Sequence, residues 1–175
     1  LLDTALAPEQ RSYAETIRQC GEVLLHLIND VLECSKIEAG KLELESIEFN
    51  LRTTIEDVLK QFAERAESKG LELTGLIHAA VPTGLRGDPG RLRQVLTNLV
   101  GNAIKFSPSQ SKVIVKVRSD QQFVFVSVKD SGPGIPEKQL PHLFDHFWQA
   151  RKTAEQGAGI GLAVVKTIIE AHGGT

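Results

Sequence analysis

The feature that most constrains this chain is an apolar stripe near its start. Tyr13, Ile17, Cys20, Leu24, Leu27, Val31 and Cys34 follow one another at spacings 4, 3, 4, 3, 4, 3. Three heptads of such spacing predict one long helix, from about Pro8 to Leu44, with a seam that needs a helical partner. Pro8 suits a first helical turn. Leu25, Ile28 and Leu32 widen the stripe, so more than one neighbouring helix is expected. Only about seven residues precede the helix, so the partner is expected to be a second copy or a helix outside this sequence. Gly40 and Lys41 weaken the helix near its end. Cys20 and Cys34 lie on it four turns apart, too far to form a disulfide within the chain. They read as two buried, reduced thiols, with no spacing that suggests zinc.

The remainder has a different texture. Ser46 to Phe49 alternates as a short strand. Asn50 caps a helix from Leu51 to about Lys69, with Leu51, Ile55, Val58, Leu59, Phe62 and Ala66 as its apolar stripe and Gly70 as its stop. Leu71 to Ile77 reads as a strand and Val81 to Gly84 as a turn. Asp88-Pro89 opens a further helix that runs to about Phe106. Val113, Val115 and Val117, then Val124, Val126 and Val128, alternate in two strands of an antiparallel hairpin. A glycine-rich turn follows at Ser131 to Gly134. Asp145 to Ala158 has no periodicity and reads as a mobile loop. Leu162, Val165, Ile168, Ile169 and His172 mark a last helix, ended by Gly173-Gly174. The expected fold is α+β, a long bundle helix followed by an α/β sandwich with a mostly antiparallel sheet. The expected division is 1–44 for the bundle helix and 45–175 for the sandwich.

At 175 residues with 41% hydrophobic residues, a core needs no disulfide or metal staple. A net charge of −2 lacks the basic excess by which nucleic-acid binders neutralise phosphates. No apolar run approaches the roughly 20 residues of a membrane span. The first residues carry no signal-peptide pattern and no initiator Met, so the chain reads as a piece of something longer, truncated at both ends.

Four short segments carry the candidate chemistry. In the helix from Asp88, Leu92, Val95, Leu96, Leu99, Val100 and Ala103 form a core face, while Gln94, Asn98, Asn102 and Lys105 form a polar one. That polar stripe is either a solvated face or the wall of a polar pocket. Asn disfavours mid-helix positions, an amide oxygen is a hard ligand suited to Mg²⁺, and Lys suits a phosphate. Asp130 shares the parity of Val124, Val126 and Val128. It either aims a carboxylate into apolar surroundings, where an adenine amino group would satisfy it, or caps the tight turn. Gly132 and Gly134 let the backbone approach a base. Gly157, Gly159 and Gly161, with Leu162, open the last helix, either as an anion site at a helix start or as simple capping. No Lys-Ser or Lys-Thr follows, so it is not a Walker A loop, and no strand precedes it as in a Rossmann fingerprint. Arg151 and Lys152 either fold over phosphates or remain solvated. Phe144, Phe147 and Trp148 form a hydrophobic latch or ordinary core.

Taken together, Asn98-Leu99-Val100-Gly101-Asn102-Ala103-Ile104-Lys105-Phe106, Asp130-Ser131-Gly132-Pro133-Gly134, Phe144-Asp145-His146-Phe147 and Gly157-Ala158-Gly159-Ile160-Gly161-Leu162 resemble the N, G1, F and G2 boxes of sensor histidine kinases. Asn29 to Lys41 resembles the end of the second dimerisation helix, in wording closest to the hybrid kinases. The resemblance implies a Bergerat (GHKL) ATP-binding sandwich and Mg-ATP as ligand. It implies Mg²⁺ on Asn102 with Asn98 in support, phosphate on Lys105, adenine on Asp130, and backbone N–H groups of Gly159 and Gly161 at the phosphates. Residues 145–158 would be the ATP lid, anchored by the F box. It implies phosphoryl transfer to a His and then to a receiver Asp, a homodimer through the bundle, and a cytoplasmic location, with any membrane anchor in other parts of the parent.

Two departures qualify it. The family's acceptor lies in a His-acid-x-x-x-Pro pattern, and none of His26, His78, His142, His146 or His172 fits, so no catalytic acceptor or its neighbouring base is expected within this sequence. The family also continues with further strand after the last Gly-Gly, so the sheet is expected to lack an edge. Two other readings compete with the kinase: a non-catalytic nucleotide-binding and dimerisation module, and a GHKL clamp-type ATPase.

Overall fold

The computed structural model describes residue 4 and residues 6–38, 43–149 and 159–175. Helix α1, Pro8–Glu38, comes first. It is shorter than the expected span to Leu44, since residues 43–46 have no regular structure and 39–42 lie outside the described residues. The described members of its stripe lie at the surface: Tyr13 is 67% and Ile17 71% exposed, with Leu24, Leu25, Ile28 and Leu32 exposed as well. Cys20 is exposed too, against the expectation of a buried thiol, and its stripe neighbours Ile17 and Leu24 are exposed with it. The side chain of Cys34 lies outside the described residues.

Strand β1, Ile47–Asn50, leads into helix α2, Leu51–Ser68. Asn50 caps α2 as expected, its side chain accepting from the Thr53 N–H at 3.2 Å. Gly70, at φ +70°, reverses the chain while the Leu71 N–H donates to the Ala66 carbonyl at 2.8 Å. Strand β2, Glu72–Ile77, follows, then strand β3, Gly84–Gly87. β3 extends the expected turn into a strand, pairing antiparallel with β1 so that Ile47 faces Gly87. Helix α3, Pro89–Phe106, leads to the hairpin of β4, Lys112–Ser119, and β5, Val124–Lys129. A 3-10 turn, Glu137–His142, precedes the last helix α4, Gly161–Ala171.

The larger sheet has order β2-β4-β5. Its β4–β5 pair is antiparallel as expected, whereas β2 and β4 run parallel, with Glu72 opposite Lys112. A parallel pair needs a crossover, and α3 supplies it. Val113, Val115 and Val117 alternate inward and are almost wholly buried, with α2 and α3 laid over that face. The two helices contribute Leu51, Ile55, Val58, Leu96, Val100 and Ile104 to this core. A second, smaller core joins α3 to α4 through Val95, Ile160, Val164, Val165 and Ile168. α1 touches the rest of the molecule along α4. Among the described residues no helix is long and apolar enough to cross a membrane.

Candidate nucleotide site

Helix α3 is the spine of the site. Its first turn is held by Asp88, a nearly buried N-cap. Oδ1 of Asp88 accepts from the Arg91 N–H at 2.9 Å, and Oδ2 from the Glu45 N–H at 3.2 Å. Burial alone would push this carboxyl up. The N–H donors of Arg91, Glu45 and Gly90, with the charge of Arg91, outweigh it and hold the group below its usual range. The Asp88 N–H donates to Nε2 of His172 at 3.3 Å, and Nδ1 of His172 donates to the Ile168 carbonyl at 2.8 Å. One residue thus ties α3 to the segment after α1 and to the end of α4.

Along α3 the two expected faces separate. Val95, Leu96, Val100, Ala103 and Ile104 are buried. Leu92 and Leu99 are half-buried at the margin, and Gln94, Asn98, Asn102 and Lys105 are half-buried on the polar side. Gln94 accepts from the Arg91 guanidinium at 3.0 Å. Nδ2 of Asn98 donates to the Gly161 carbonyl at 3.3 Å, which brings the amide stripe to the first residue of α4. A β-carbon on Gly161 would lie 3.4 Å from the Asn98 amide, so the helix start approaches closely because it carries none. The Lys105 ammonium lies 5.3 Å from the centre of the Phe106 ring.

The Asp130 turn rests on the other end of α3. Of the two readings open for Asp130, the structure has the turn cap: Asp130 is exposed and does not point into the core. The inward parity of Val124, Val126 and Val128 ends with the strand at Lys129, so Asp130 is no longer bound by it. Its Oδ1 accepts from the Gly132 N–H at 2.7 Å, the turn-capping arrangement. Gly132 is pressed against α3: an added β-carbon would lie 3.2 Å from the Phe106 carbonyl oxygen and 2.8 Å from Asp130 Oδ1. The Ser131 N–H reaches Oγ of buried Ser107 at 3.5 Å. Gly134 takes φ +72°, a conformation suited to glycine.

The third part surrounds the start of α4. Ile160 is the N-cap and makes no side-chain capping bond, so the first N–H groups of this helix have no side-chain cap. Gly159 has φ +71°, and a β-carbon there would lie 2.6 Å from the Trp148 carbonyl oxygen. Gly159 and the end of the aromatic segment are therefore in backbone contact. Phe144 and Phe147 are exposed, which excludes an ordinary core role for either within the chain. Phe144 lies under Lys166 of α4, 5.8 Å from its ammonium, and Phe147 takes φ +62°. Leu162 is half-buried behind the helix start. Arg151, Lys152 and Gly157 lie outside the described residues.

These parts present a carboxylate beside two glycines, amide oxygens, a lysine and a glycine-flanked helix start. An aminopurine, a divalent cation and a chain of phosphates would be complementary to that donor and acceptor set. The sequence did not point to Lys69, whose ammonium donates to the last carbonyls of α3, nor to the part played by His172. The partners of both lie far away in the chain.

Comparison with known proteins shows the family. Residues 87–175 match the family model described as histidine kinase-, DNA gyrase B- and HSP90-like ATPase. Residues 1–40 match the His Kinase A (phospho-acceptor) domain. The signal transduction histidine-protein kinase BarA of Escherichia coli is 43% identical over 99% of this chain and 20% of its own length. The chain thus spans about a fifth of that curated relative. Full-length ShkA in complex with AMPPNP superposes with a TM-score of 0.82 at 35% identity, over 99% of this chain and 36% of that one. ThkA in complex with the response regulator TrrA gives 0.71 at 26% identity, over 98% and 47%. The residues carrying the glycine-flanked helix start, the amide stripe beside it and the Asp130 turn all fall within the matched span 87–175, and the chain belongs to the sensor histidine kinase family.

Proposed function

We propose that this chain is the ATP-binding, phosphoryl-donating part of a two-component sensor kinase. Residues 1–44 would form the second helix of the dimerisation bundle and 45–175 the catalytic domain. Asp130 would accept a hydrogen bond from the adenine amino group, with Gly132 and Gly134 giving the base access. Asn102, supported by Asn98, would hold Mg²⁺, which when bound neutralises phosphate charge. Lys105 would bind a phosphate. The N–H groups at Gly159 and Gly161 would meet the phosphates, with Leu162 packing behind them. Arg151 and Lys152, beside Gly157, would add charge from the lid, and Phe144 and Phe147 would anchor it. Catalysis would then rest on positioning and charge neutralisation.

The exposed stripe of α1 supports a homodimer through the bundle. A receiver domain would take the phosphoryl group from the histidine, in line with the ThkA–TrrA complex. The acceptor His would come from an upstream helix, and the site would face the cytosol, where ATP is.

The observation that carries this reading is the bond from Asn98 to Gly161. It sets an amide-bearing helix face beside a helix start without a side-chain cap, where amide oxygens and free N–H groups would suit a metal-bound polyphosphate. Calorimetry with Mg-ATP tests it. The chain should bind, and Asp130→Asn should weaken binding at least about tenfold through the loss of a charged acceptor. Absence of binding by the folded chain would overturn the reading. A fragment carrying the His-acid-x-x-x-Pro pattern, mixed with this chain and labelled ATP, should become phosphorylated. Binding without transfer would leave a non-catalytic nucleotide module.

A further inference from the structure

Lys69 lies at the C-cap of α2, outside every segment assigned above to the nucleotide. Its ammonium donates to the Ile104 carbonyl at 2.7 Å and to the Lys105 carbonyl at 2.7 Å, across 35 and 36 residues of chain. These two carbonyls belong to the last turn of α3, where no following turn supplies N–H donors. That turn also carries the negative end of the helix dipole, so a half-buried cation there is doubly suited.

The same turn forms the floor of the site. Lys105 projects from it, the Phe106 carbonyl oxygen is the atom against which Gly132 is pressed, and Ser107 receives the Ser131 N–H. A second tie runs alongside: the Gln110 N–H donates to Gly70 at 3.1 Å, and the Glu72 N–H to Ser111 at 2.9 Å. The end of α2 therefore grips the end of α3 and the loop that follows. A shift of α3's last turn would move the lysine and the Asp130 turn together.

We infer that Lys69 is a positioning residue for nucleotide binding, acting through the carbonyls of Ile104 and Lys105 to hold Lys105 and the Asp130–Gly132 turn in register. This rests on the nucleotide-site reading above. It requires no contact between Lys69 and the ligand.

The test is Mg-ATP titration of the full 175-residue chain and its variants, at a temperature where each is folded by circular dichroism. Lys69→Met keeps length and loses every donor, and it should weaken binding about tenfold. Lys69→Arg keeps donors and charge and should stay within about threefold of the parent. In the absence of nucleotide, the amide resonances of Ser131 and Gly132 should move in the Met variant and not in the Arg variant. Should the Met variant fail to fold, Lys69→Gln is read by the same titration and should also weaken binding about tenfold. Ser119→Ala removes a bond to the Ala80 carbonyl on a different loop and should leave affinity unchanged. A folded Met or Gln variant with unaltered affinity and unmoved Gly132 resonance would overturn the inference and leave Lys69 a structural tie. Absence of binding by the parent chain would overturn the nucleotide reading, and the inference with it.

Discussion

Helices α1 and α3 carry apolar stripes of similar regularity and meet opposite fates. On α1, Tyr13, Ile17, Leu24 and Leu25 remain exposed. On α3, Leu96, Val100 and Ile104 are almost entirely buried. The difference lies in what each helix is offered. α3 has the sheet and α2 on one side and α4 on another, and its polar stripe runs between these contacts. α1 meets α4, and among the described residues its stripe positions Tyr13, Ile17 and Leu24 stay at the surface. Periodicity therefore announces that a helix will bury a face, without stating whether the partner belongs to the same molecule.

Substitutions can sharpen this contrast or break it. The largest effect is expected at Leu96→Ala, which opens a cavity between α3 and the sheet and should cost about 2–5 kcal/mol in chemical denaturation. A smaller one is expected at Asp88→Ala, about 1 kcal/mol from the lost N-cap. That loss should depend on pH. The carboxyl is held below its ordinary value in the folded chain, so its contribution is complete above its unfolded pKa of about 4 and disappears as pH falls through the folded value. The gap in stability between parent and Asp88→Ala should therefore close in acid. The smallest effect on the unfolding of the catalytic domain is expected at Leu24→Ala, within about 0.5 kcal/mol. The same variant should lower the dimer fraction in sedimentation equilibrium. A Leu24→Ala variant as destabilised as Leu96→Ala would erase the distinction between the two helices.

What could be read in advance follows the same line between local and distant causes. The caps Asn50 and Asp88, the valine alternation of the hairpin and the stop at Gly70 are local signals, and the structure has each. β3 escaped notice because Gly84 to Gly87 is a four-residue strand bounded by glycines, defined by pairing with β1 rather than by its own pattern. The parallel pairing of β2 with β4 is likewise invisible in either strand alone. Asp130 was open between the core face and a turn cap because strand parity alone does not say where β5 ends, and the strand ends at Lys129. In the candidate site, the asparagines and glycines were legible as types at suggestive spacings. Their meeting, Asn98 with Gly161 and Gly132 with Phe106, is a property of the packed molecule. Lys69 and His172 belong wholly to that second class.

The parallel pair of β2 and β4 also bears on how the chain reaches its native state. Glu72 and Lys112 face each other across forty residues, and the whole of α3 lies between them. Such a ladder cannot zip from a turn, as the β4–β5 hairpin can. Its first bonds must wait until the intervening chain is drawn across the sheet, which makes this closure a slow, entropy-limited event. The crossover that must be in place at that moment is the helix bearing Asn98, Asn102 and Lys105. Pairing β2 with β4 therefore carries the asparagine-bearing segment across the sheet, which couples closure of the ladder to delivery of that segment.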